Sequence, residues 1–109
     1  MCVFSPLGNI NSYRDRDILR MDCLLIDGYD CFNILWGDGI FDVINTTCGS
    51  LIDEHEEERL TPSQINKTIE ALNKMDRHLL HAYTQLFIDQ LIPLLVSAKD
   101  RDVSVHFIL

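Results

Sequence analysis

Between Met21 and Glu58 the chain has no lysine and no arginine. Positive charge is scarce overall, with nine bases against seventeen acids and a formal net charge of −8. Such a balance argues against nucleic acid as a direct partner, because phosphates carry the same sign. It favours a cationic protein, whose opposite potential speeds encounter. Paired cysteines are lacking too. Cys2, Cys23, Cys31 and Cys48 include no Cys-x-x-Cys, which disfavours a zinc ribbon or a thioredoxin-like site. Each lies in or beside an apolar run, where a free thiol behaves as a small hydrophobe.

No apolar run approaches the roughly 20 residues of a membrane span. The opening Met1-Cys2-Val3-Phe4-Ser5-Pro6 has no basic n-region and no long apolar h-region, so no export signal is read there. With scattered thiols, the expected home is a reducing cytoplasm. Internal repeats and low-complexity segments are absent. A length of 109 residues gives one domain, 1–109, long enough for a single core.

Catalytic motifs are also missing. His78 and His81 are three apart and share a face if both lie on one helix. His55 and His106 do not extend them into a His-Glu-x-x-His or Cys/His pattern, so surface histidines are the simpler reading. The run Asp53 to Glu58 lacks the alternating ligands and turn glycine of a calcium loop. Gly37-Asp38-Gly39 is too short to cradle a phosphate. A thiol enzyme needs Cys31 or Cys48 beside a histidine, and acidic neighbours disfavour the thiolate. The expectation is a non-enzyme, with no catalytic, cofactor or metal residues.

What the chain does have begins with ten carboxylates in that base-free stretch: Asp22, Asp27, Asp30, Asp38, Asp42, Asp53, Glu54, Glu56, Glu57 and Glu58. Tyr29, Phe32, Leu35, Trp36, Ile40 and Phe41 are set among them. Tyr29, Phe32, Leu35 and Trp36 have helical spacing. A second helix is predicted from Ile40 to Cys48, with Gly49 as a left-handed C-cap; a strand over Ile40 to Ile44 is the alternative. Asp27 or Asp30 is a candidate cap for the first.

Cys2-Val3-Phe4 reads as an edge strand or a loose terminus, and Arg14 to Asp17 as a solvated turn or short helix. Cys23 to Ile26 reads as a buried strand. Leu51 to Glu58 reads as an acidic loop. Thr61-Pro62-Ser63-Gln64 is a full helix start, with Thr61 as N-cap, Pro62 at the first position and Gln64 closing a capping box. A second helix capped by Asp76 carries the stripe Leu79, Leu80, Tyr83, Leu86, Phe87, Leu91, Leu94, Leu95 and Ala98. Pro93 inside it predicts a kink or break near Asp89 to Pro93. Val103, Val105 and Phe107 alternate with polar neighbours as a final strand, for which 23–26 is the natural partner. The expected class is α+β or α/β, a sheet of two to four strands against three or four helices.

Two stretches resemble known families. Cys48-Gly49-Ser50-Leu51 through Arg59-Leu60-Thr61-Pro62-Ser63-Gln64-Ile65, with Ala71-Leu72 and later Tyr83, Leu86, Ala98 and Val105, is similar to YfbM-like bacterial proteins, a resemblance that implies a closing helix and strand and no activity. Leu94 to Leu109, with the acidic aromatic segment Tyr29 to Trp36, resembles barstar-type inhibitors. Neither resemblance brings a functional residue with it.

These readings lead to one functional expectation, a small acidic protein that neutralises a basic partner. Its most specific form is an immunity protein or antitoxin that occludes the cationic site of a bacterial toxin, a nuclease above all. The candidate contacts are Asp27, Tyr29, Asp30, Trp36, Asp38, Asp42, Glu54, Glu56, Glu57 and Glu58. The alternative is a self-associating module, a dimer through part of the Leu79 to Ala98 stripe.

Overall fold

Strands from opposite ends of the chain lie side by side at the middle of the sheet. In the computed structural model, which describes residues 1–6, 21–53 and 57–109, β1 (Cys2–Pro6) pairs with β2 (Met21–Leu25) on one side and with β4 (Val105–Ile108) on the other. β3 (Glu57–Leu60) completes the sheet beyond β4, in the order β2-β1-β4-β3, with every pair antiparallel. The helices are α1 (Gly28–Gly37), α2 (Ile40–Cys48), α3 (Pro62–Asn73) and α4 (Ala82–Asp100), with a 3₁₀ turn at Arg77–Leu79. The fold class is α+β.

Alternation along the strands sorts the side chains. Val3, Leu60, Val105 and Phe107 face the helices and join Phe32, Leu35, Phe41, Ile44, Ile65, Leu72, Phe87, Leu91 and Leu95 in one core. Cys2, Phe4, Cys23, Leu25 and His106 fall on the opposite face. There Phe4 stacks on His106 with ring centroids 4.9 Å apart. Burial lowers the His106 pKa, the nearby Arg59 charge adds to that, and Glu57 opposes it.

Several local expectations give way to tertiary context. β1 is central rather than an edge or a loose end: it is paired on both sides, and Val3 and Phe4, which point to opposite faces of the sheet, are both buried. The final strand pairs with β1 and β3, and the strand at 21–25 lies one place further out. Glu57 to Leu60 is a strand, although its acids suggested a loop; Leu60, fully buried opposite Val105, anchors it. Asp76 caps only the 3₁₀ turn, its carboxylate accepting the His78 N–H at 3.0 Å. α4 therefore starts at Ala82, and His78 and His81 lie outside it rather than together on one helical face. α4 also continues through Pro93 as a single helix. Its buried residues Leu91, Leu94 and Leu95 straddle the proline and hold both halves against the core. The Arg14 to Asp17 stretch lies outside the described residues.

The Thr61 start forms as the sequence predicts. Thr61 N–H donates to Gln64 Oε1 at 2.9 Å, with Pro62 in the first turn. Gln64 Nε2 also donates to the Cys48 carbonyl at 3.1 Å, which joins α3 to the end of α2. Gly49 ends α2 at φ 64°, the left-handed conformation expected of a C-cap.

Candidate functional site

α1 is amphipathic in an uneven way. Phe32 and Leu35 are buried, while Tyr29, Asn33 and Trp36 fall at i, i+4 and i+7 on one exposed face. Tyr29 is 52% exposed and Trp36 46%. Seven residues of helix separate them by roughly 10 Å, at 1.5 Å per residue. The indole is held from below. Its ring centroid lies 5.8 Å from Phe32 and 6.1 Å from Phe41, and those two rings are 5.5 Å apart. Phe32 and Phe41 belong to the core. Trp36 is thus an apolar plate that is already oriented and open to solvent on one side, so little rotamer freedom is left to lose on contact.

Asp27, just ahead of α1, Asp30 in its first turn and Asp42 in the first turn of α2 are all exposed. Neither helix contains a base. Glu57 is exposed and Glu58 half-buried on β3, which rests on β4 and α3, so they form a separate group at the sheet edge. One Glu58 oxygen accepts the Leu51 N–H at 2.9 Å and the other the Arg59 N–H at 3.0 Å. Glu54 and Glu56 lie outside the described residues.

Asp38 turns inward. Its side chain is only 8% exposed, against 66% for His81. Oδ2 accepts the His81 N–H at 2.9 Å and Oδ1 meets His81 Nδ1 at 2.8 Å. Burial pushes the Asp38 carboxyl up, but the Thr84 hydroxyl, the His81 N–H and the His81 ring together outweigh it and leave the pKa lowered. Thr84 is fully buried, and its hydroxyl reaches no acceptor with good hydrogen-bond geometry; its dipole is close enough to favour the charged carboxylate all the same. An aspartate holding a histidine in this way also orients a general base. Here the same carboxylate spends its second oxygen on the backbone just ahead of α4, which makes it a brace between helices.

Cys31 and Cys48 have no histidine beside them among the neighbours described: Cys31 lies against Tyr83, and Cys48 against Thr68 and Gln64. Burial raises the Tyr83 pKa, and the Cys31 thiol beside the phenol adds to that. Cys48 Sγ lies 3.1 Å from Thr68 Oγ1 and donates to the Gln64 carbonyl at 3.4 Å. Among the described residues no three histidine, cysteine or acidic side chains cluster as metal ligands, and no helix is long and apolar enough to cross a membrane.

Tyr29 and Trp36 share one exposed face of α1, Asp27, Asp30 and Asp42 are exposed on or just ahead of the same helix pair, Asp38 is a brace, and Glu57 and Glu58 lie on β3. Asn33 joins the exposed face, a place its spacing of four residues from Tyr29 implies. No family model, curated protein or solved structure matches the chain.

Proposed function

We propose that the protein is a small acidic binding protein, rather than an enzyme, that neutralises a basic partner through α1 and the start of α2. The observation that carries this reading is the half-exposed Trp36, propped on Phe32 and Phe41, on a helix pair with exposed Asp27, Asp30 and Asp42 and no base. Oriented aromatics at the centre of a patch supply binding energy, and surrounding charge supplies speed and selectivity. The most specific version is a cytoplasmic immunity protein or antitoxin that plugs a bacterial nuclease. A nuclease site must attract phosphate, and carboxylates can take the phosphates' place there.

Self-association through the α4 stripe has less to support it. Phe87, Leu91, Leu94, Leu95 and Ala98 are spent in the chain's own core, and of the large hydrophobic residues there Leu79, Leu86 and Val96 stay exposed.

The test is to recover the tagged protein with its partner from the source cell and measure association kinetics with the purified pair. A basic nuclease is expected, inhibited on binding, with an on-rate that falls steeply with salt. Asp30→Lys combined with Asp42→Lys should slow association about tenfold or more. An unchanged on-rate at low salt would remove this face as the docking site.

A further inference from the structure

The sheet face that turns away from the core carries two cysteines on neighbouring strands. Cys2 stands opposite Leu25 and Cys23 opposite Phe4, so the two thiols are diagonal neighbours across β1 and β2 on one face. Cys23 is exposed and Cys2 half-buried. Both are free in this structure.

We propose that Cys2 and Cys23 are a redox pair that closes reversibly into a disulfide across β1 and β2, with a small-molecule disulfide of the glutathione class as oxidant. The accessible Cys23 thiolate attacks one sulfur of the oxidant. That bond breaks, one glutathione leaves as thiolate and takes up the Cys23 proton, and Cys23 carries a mixed disulfide. Cys2 then attacks the Cys23 sulfur and expels the second glutathione, which takes up the Cys2 proton. Two protein thiols are oxidised and one glutathione disulfide is reduced to two thiols.

Three features favour this pair over the other cysteines. Cys31 lies against the Tyr83 phenol, and Cys48 is held by Thr68 and Gln64. The second feature is proximity. Burial raises the Cys23 pKa and the Cys2 thiol raises it further, so each sulfur lies within reach of the other's field. The third is the freedom of β2. Diagonal neighbours in a sheet have Cα atoms about 7–8 Å apart, slightly beyond the usual disulfide span of about 4.4–6.8 Å. β2 lies at the end of the sheet order and, among the described residues, pairs with β1 alone, so closing the gap needs a shift of one edge strand rather than of the sheet's middle. A bond made by such a shift is strained and easily reduced, the behaviour of regulatory rather than structural disulfides. β2 runs through Ile26 and Asp27 directly into α1, and the cross-link would pin that connection.

The experiment is equilibration of the full chain with oxidised glutathione, then mass measurement and peptide mapping without reductant. The expected product is lighter by about two mass units, with Cys2 and Cys23 peptides joined, and reverts in excess reduced glutathione. Cys31→Ser combined with Cys48→Ser should cross-link like the parent. Cys2→Ser should instead accumulate a stable glutathione adduct on Cys23. A parent chain that stops at glutathione adducts on separate thiols, or that joins any other pair, overturns the proposal. The parent mapping decides the matter even if a variant fails to fold.

Discussion

Both oxygens of Asp38 are committed to His81, one to its backbone N–H at 2.9 Å and one to its ring at 2.8 Å. The residues are 43 apart in sequence. Asp38 closes α1 and His81 opens α4, so one carboxylate ties the α1–α2 turn to the longest helix. The acid limb of stability follows from the lowered Asp38 pKa. A carboxylate depressed in the folded state binds fewer protons there than when unfolded. Its contribution is complete above the unfolded value of about 3.9 and is lost as pH falls through the folded value. Asp38→Ala should cost about 2 kcal/mol at neutral pH, within the range for a lost cap with a stranded donor. Urea titrations should show the gap between parent and variant constant above pH 5 and closing below pH 4. A gap that persists undiminished at pH 2 would contradict the brace.

Asn45 has a comparable role in the descent from α2. Its Oδ1 accepts the Ser50 hydroxyl and the Ile52 N–H, both at 2.8 Å, and its Nδ2 donates to the Ile52 carbonyl at 2.9 Å. Ile52 is 1% exposed, so its backbone has little water to fall back on. Asn45→Ala should cost about 2–3 kcal/mol, since buried polar groups lose their partners rather than exchange them. Asn45→Asp keeps the acceptor but sets a carboxylate against the Ile52 carbonyl, and should fall between parent and alanine. Urea midpoints should fall in that order with an unchanged m-value.

How far the sequence could be read depended on the range of the interaction. The Thr61 to Gln64 capping box and the Gly49 C-cap are written within a few residues, and both form. The exposed position of Trp36 was not legible, because helical spacing alone makes Phe32 and Trp36 look alike. Only the approach of Phe41 from the next helix makes one ring core and the other rim. Asp38 looked like one more surface acid because its partner is 43 residues on. The strand at Glu57 to Leu60 was hidden for a related reason: Glu57 is exposed, Glu58 is held by backbone N–H groups of Leu51 and Arg59, and only Leu60, placed opposite Val105, reveals the ladder. Strand order was equally hidden, since the register of β1 between β2 and β4 depends on contacts across the whole chain.

The stacked rings make a prediction that separates stability from recognition. Phe41 is fully buried, so Phe41→Ala opens a cavity and should cost about 3–5 kcal/mol. Trp36 is nearly half exposed, and Trp36→Ala removes mainly its stacking and rim contacts, a loss of about 1 kcal/mol. Phe41→Leu keeps most of the volume but takes away one of the two rings beneath the indole. Trp36 is the sole tryptophan, so its emission reports this site alone. Phe41→Leu should shift that emission to the red with a modest change in urea midpoint, because a less firmly held indole meets more water. Parent emission should shift to the blue when a basic partner covers the ring, and the Trp36→Ala chain should fold yet bind that partner at least tenfold more weakly, in line with a central aromatic hot spot. An emission maximum that ignores both Phe41→Leu and Phe32→Leu would mean that the ring's orientation owes nothing to the stack, and with it would go the pre-set plate on which α1 is read as a recognition helix.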